Sequence, residues 1–157
     1  MHSGGRSKYY GAEADGYVTH YFEGATGSVS FTPESLNKKH IIHNHPRGGW
    51  ANFSGRDLLT FADSGVTGMS AVSIRVLPAQ NASKKTIAAY KRRRAGEYRI
   101  TKTNHFNREG FTKELRALKV RDNNYDKDLH KWLSDNQKKY GYRYSYKKNK
   151  DIGDLND

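Results

Sequence analysis

The spacing of apolar positions changes period along this chain, from two to between three and four, and so marks successive elements. Lys8–Glu13 and Tyr17–Phe22 alternate around Asp15-Gly16, the pattern of a β-hairpin, and Glu23-Gly24 closes it. Ser28–Phe31 continues extended. Thr32-Pro33-Glu34 then reads as an N-cap with proline at the first helical position, opening a short helix to about Lys39. His40-Ile-Ile-His-Asn-His predicts a buried strand, which Pro46-Arg47-Gly48-Gly49 breaks. After a loop holding Trp50 and Phe53, Ser54 caps a helix through Asp57, Leu58, Leu59, Phe61 and Ala62 that Gly65 stops. A strand follows at about Ala71–Leu77.

Beyond Pro78 the character shifts. Ser83–Ala95 predicts a basic helix, and Phe111–Val120 is amphipathic through Leu115 and Leu118. Tyr125–Tyr140 places Leu129, Trp132 and Leu133 on one face, with Gly141 just past its end. Tyr140-Gly-Tyr-Arg-Tyr-Ser-Tyr predicts a strand with all four tyrosines on one side. The expected architecture is α/β or α+β, a sheet flanked by helices. Its core lies in residues 1–80. A basic helical extension, 81–150, packs back on that core and ends in the Tyr-rich strand, and 151–157 form an acidic tail.

Composition sharpens this picture at three points. Cysteine is absent, so disulfides, thiolate zinc sites and cysteine nucleophiles are excluded, and any metal must be held by His and carboxylate. No run of about 18 apolar residues exists and the N-terminus lacks an apolar leader core, so a soluble, cytoplasmic protein is expected. The net charge of +12 is uneven. Residues 84–150 carry 21 Lys and Arg against 7 Asp and Glu, whereas residues 1–83 carry 7 against 6. A basic half of this kind raises nucleic acid as a partner, with Lys91, Arg92, Arg93 and Arg94 as the densest cluster. The plainer reading of that cluster is a solvated helix face, and of the tyrosines, sheet packing.

Candidate chemistry concentrates in one stretch. On a strand, residues two apart share a face, so His43 and His45 can present two imidazoles to one ion. Pro46 and the Gly-Gly pair turn the chain, and Asp57 in the first helical turn can return as a third ligand. Two His and one carboxylate leave a fourth tetrahedral position open, the arrangement of a catalytic zinc site. Singly, a His-x-His pair is often an ordinary strand feature, and Ser-x-x-Asp an ordinary helix start. Their ordered combination is what points to metal. His20, His40, His105 and His130 lack such spacing and read as surface or packing residues.

At His43-Asn-His-Pro and Ser54-Gly-Arg-Asp the sequence resembles the JAMM/JAB (MPN-type) zinc metallopeptidase family over roughly residues 7–77. With Phe31-Thr-Pro-Glu, it is most similar to JAB domains of phage and mobile elements. The resemblance implies a cytidine-deaminase-like α/β core and one Zn²⁺ held by His43, His45 and Asp57. It also implies hydrolysis of a peptide or isopeptide bond in a protein substrate, with Ser54 assisting at the water or the developing oxyanion. A phage-derived member would work in the host cell or on the virion. The family's general base is an upstream Glu. Here the matching positions, Ser7 and Lys8, are not acidic; Glu13 is the expected substitute, Glu23 a second, and loss of the base a third outcome. The alternative function is an inactive JAB-like module that binds protein or nucleic acid through its basic half.

Overall fold

The computed structural model describes residues 8–14, 17–23, 37–45, 50–74 and 78–148. Among these, six strands form one mixed sheet in the order β2-β1-β3-β4-β5-β6. The hairpin forms as expected, as β1 (Lys8–Ala14) and β2 (Tyr17–Glu23), paired antiparallel. β3 (His40–Asn44) pairs antiparallel with β1, setting His43 opposite Tyr9 and His40 opposite Glu13. The extended segment and helix expected between Ser28 and Lys39 lie outside the described residues up to position 36.

From β3 the chain passes through α1 (Gly55–Asp63) to β4 (Gly68–Val72), which runs parallel to β3 with His40 beside Gly68 and Asn44 beside Val72. Parallel neighbours need a crossover, and the connection through α1 provides it. The strand expected at 71–77 starts three residues earlier, in register with β3, and ends at Val72; positions 75–77 of that expectation lie outside the described residues.

The second half departs further from expectation. α2 (Lys84–Arg92) starts after the Ser83 cap but stops short of Ala95. A strand that the apolar pattern did not reveal, β5 (Gly96–Lys102), follows and pairs antiparallel with both β4 and β6 (Tyr142–Lys148). This half thus supplies two strands of the sheet, β5 in addition to the expected Tyr-rich strand. Between β5 and β6 lie α3 (Arg108–Ala117), a 3₁₀ turn (Asp122–Asn124), α4 (Tyr125–Asp135) and α5 (Gln137–Tyr140). The single helix expected over 125–140 breaks at Asn136, and Tyr140 closes α5, so three tyrosines rather than four line the strand.

One face of the sheet carries the core. Ile41, Met69, Ala71, Tyr98, Ile100, Tyr142 and Tyr144 pack against Leu58, Phe61 and Ala62 of α1, Phe111 of α3, and Leu129, Trp132 and Leu133 of α4. The tyrosine hydroxyls find local acceptors or donors: Tyr142 donates to Leu133 O at 2.6 Å and Tyr146 to Ala95 O at 3.1 Å, while Tyr144 pairs with His130 Nδ1 at 2.8 Å. Their apolar rings and satisfied hydroxyls make the stripe a packing feature. Among the described residues no helix is long and apolar enough to cross a membrane.

Candidate metal centre

β3 alternates, so Ile41 turns into the core and His43 lies on the same face nearer the strand's end. His45, one residue beyond the strand, keeps its backbone in the ladder by donating its N–H to Val72 O at 2.9 Å. The chain returns through Ala51, Asn52 and Phe53, all buried, to Ser54. Ser54 caps α1 in a reciprocal capping box: its Oγ accepts from Asp57 N at 3.0 Å, and Asp57 Oδ2 accepts from Ser54 N at 2.9 Å. Local helix-start chemistry therefore fixes the carboxylate and aims it back at the end of β3.

The result is a triangle of donor atoms. His43 Nε2 and His45 Nε2 are 2.9 Å apart, and Asp57 Oδ2 lies 3.2 Å from the first and 3.0 Å from the second. Their side chains are only 10%, 12% and 21% exposed. These residues meet as the sequence predicts, and they form a group able to hold a metal ion. Zinc bonds of about 2.0–2.1 Å at tetrahedral angles place ligand atoms about 3.3 Å apart, within a few tenths of an ångström of this triangle.

Proton counting supports a cation at its centre. His45 Nδ1 donates to Ala51 O at 3.1 Å, which assigns the ring proton to Nδ1 and leaves a lone pair on Nε2. Asp57 Oδ2 is also an acceptor. With His43 as a neutral imidazole, three mutually adjacent atoms share at most one proton, carried on His43 Nε2. A metal ion removes that conflict. Burial tends to raise the Asp57 carboxyl, but the two imidazoles beside it, His43 above all, outweigh that and hold the group well below the usual carboxylate range.

The other expected residues fall as follows. Ser54 is exposed at the helix start, its hydroxyl oxygen already engaged by Asp57 N. Glu13 is level with His40, and Tyr9 is level with His43. Three residues of strand separate those levels, about 10 Å. Glu23, at the far end of β2, pairs with Lys8. Lys91 is exposed, whereas Arg93 donates a guanidinium N–H to Ile74 O at 2.7 Å and the Arg94 backbone N–H goes to Asp126 Oδ2 at 2.8 Å. The cluster is thus partly committed to internal contacts.

Two features beside the site had no sequence signal strong enough to single them out. Trp50 stacks on Tyr125 with ring centroids 5.9 Å apart, and Tyr125 Oη donates to Phe53 O at 2.7 Å. Burial, with the charges of Asp57 and Asp126, pushes the Tyr125 hydroxyl up to about 12, so it stays a donor at neutral pH. Asp126 itself, wholly buried, holds the loop that carries Ala51.

Comparison with protein-family models, with curated proteins and with solved structures found no match for this chain.

Proposed function

We propose that the chain is a zinc-dependent metallopeptidase or isopeptidase of the JAMM/JAB type, in which His43, His45 and Asp57 hold the metal. The observation that carries this reading is the convergence of His43 Nε2, His45 Nε2 and Asp57 Oδ2 within 3.2 Å of one another. Two imidazoles and a carboxylate suit zinc better than the hard cations that prefer all-oxygen shells. Bound there, zinc supplies a Lewis acid and lowers the pKa of a coordinated water. The protein's own groups then have distinct tasks. Asp57 and the Ser54 cap keep the ligand set rigid. Ser54 Oγ has its oxygen occupied by the Asp57 N–H and its proton to offer to a developing oxyanion. Glu13 is the proton acceptor in this reading, on the order of residues in the sequence.

The β1 register favours a second reading. Glu13 sits level with His40 and not with His43, which suits a non-catalytic JAB-like module, of phage or mobile-element origin, that keeps the metal site. Such a module would bind protein or nucleic acid through its basic half, with Lys91 and the partly buried Arg92, Arg93 and Arg94 contributing, and its binding would weaken steeply with salt.

Elemental analysis of the purified protein separates these readings from a metal-free one. About one zinc per chain, lost in both His43→Ala and Asp57→Ala, is expected; no zinc in wild type after reconstitution overturns both zinc readings. The zinc-loaded protein should then cleave a mixed peptide and isopeptide library, with Glu13→Gln reducing the rate at least about 100-fold while retaining zinc. Full zinc with no cleavage leaves the binding module.

A further inference from the structure

Asp126, at the start of α4, lies in the half of the chain that carries none of the proposed ligands, yet its carboxylate reaches across to the metal loop. It is fully buried, with Oδ1 accepting from Ala51 N and Asn52 N, each at 3.0 Å. Oδ2 accepts from Arg94 N at 2.8 Å and Ala51 N at 3.2 Å. Asn52 Nδ2 donates in turn to the Asp126 carbonyl at 3.2 Å. Burying a carboxylate is costly unless every oxygen is met by donors, and here backbone N–H groups meet both.

The decisive detail is which peptide is held. The N–H of Asn52 and the C=O of Ala51 belong to one planar unit. Its N–H points to the Asp126 carboxylate and its C=O accepts from His45 Nδ1 at 3.1 Å. A negative charge on the N–H side polarises that peptide and makes its oxygen a better acceptor for the imidazole proton. Metal-binding histidines are ordinarily oriented by a carboxylate or carbonyl on their second nitrogen, and here both act in series through a single amide.

We propose that Asp126 is a positioning residue for the metal site: through the Ala51–Asn52 peptide it fixes His45 as the Nδ1–H tautomer, with the Nε2 lone pair facing His43 and Asp57. This rests on the reading of those three residues as metal ligands. It also gives the second half of the chain a role in the site that its charge alone does not suggest.

The test uses full-length wild type, Asp126→Asn, and Leu129→Ala as a control that weakens α4 packing without removing a hydrogen bond to the Ala51–Asn52 peptide. Imidazole ¹H–¹⁵N correlation spectra of the metal-free proteins report the His45 tautomer, and chelator competition reports zinc affinity. Wild type should show the Nδ1–H form. Asp126→Asn should show a mixture and bind zinc about 10- to 100-fold more weakly. Leu129→Ala should melt at lower temperature but keep the tautomer and bind zinc within about threefold of wild type. The assignment is overturned if folded Asp126→Asn matches wild type in both measurements, or if Leu129→Ala loses as much. Should the amide variant not fold, Asp126→Glu, which keeps the charge and displaces it by one methylene, is scored by the same criteria. If wild type takes up no zinc, the metal reading falls, and the tautomer comparison alone decides the role of Asp126.

Discussion

His40 shows how a single polar side chain is accommodated on the sheet face opposite to Ile41 and the core. Its Nε2 lies 2.8 Å from Ser70 Oγ, and its ring rests on Gly68, where a Cβ would come within 2.5 Å of Nδ1. Burial, then the charge of Arg99, lowers its pKa from 6.5 to about 4, so it is neutral at pH 7. The unfolded chain takes up a proton near pH 6.5 and the folded one only near 4. In that window the unfolded state binds more protons, and stability falls as the pH falls. The full loss is at most about 3 kcal/mol. Urea titrations at pH 7 and 4.5, with chelator present, should show a decline shallower by about 2 kcal/mol in His40→Gln than in wild type; equal declines would remove His40 from this role. At the same scale, His43, His45 and Asp57 were legible because strand alternation and helix capping are short-range rules. Asp126 was not, since an acid in the first turn of a helix already has a sufficient local reason, the helix dipole.

Among elements, the joint between α5 and β6 has a strict requirement. Gly141 ends α5 with φ of 74°, and a Cβ there would stand 2.4 Å from the His105 carbonyl oxygen. Gly141→Ala therefore meets both left-handed strain and a backbone clash, and we expect it to cost about 2–3 kcal/mol, read as a lower urea midpoint with unchanged slope. A loss under about 0.5 kcal/mol would mean the joint yields easily. That glycine, the hairpin, the Ser54 cap and the α4 face were readable from sequence, because each is a local pattern. β5 was not. Gly96-Glu-Tyr-Arg-Ile-Thr-Lys buries only Tyr98 and Ile100 as large side chains on the core face, and its charged neighbours mask the alternation. Its strand character comes from the partners on either side, β4 and β6, which no local window contains.

At the scale of the whole molecule the two halves are one core. A fragment of residues 1–80 would lack Tyr98, Ile100, Phe111, Leu129, Leu133, Tyr142 and Tyr144 and leave β4 as an open edge. It should show poorly dispersed amide signals and no cooperative unfolding; a fragment that melts in one sharp transition would restore a separate N-terminal unit. Within the intact chain, β3 and β4 are parallel neighbours, and the connection between them begins at His45 and passes Asp57. An ion held by His45 and Asp57 would clasp the first part of that connection into a short loop. It would remove chain freedom from the denatured ensemble in the manner of a crosslink, and would guide the one pairing among the described strands in which neighbours run the same way and no tight hairpin can help. For a small sheet assembled from distant segments, the same residues that would bind the ion would thereby set how quickly, as well as how firmly, the chain finds its register.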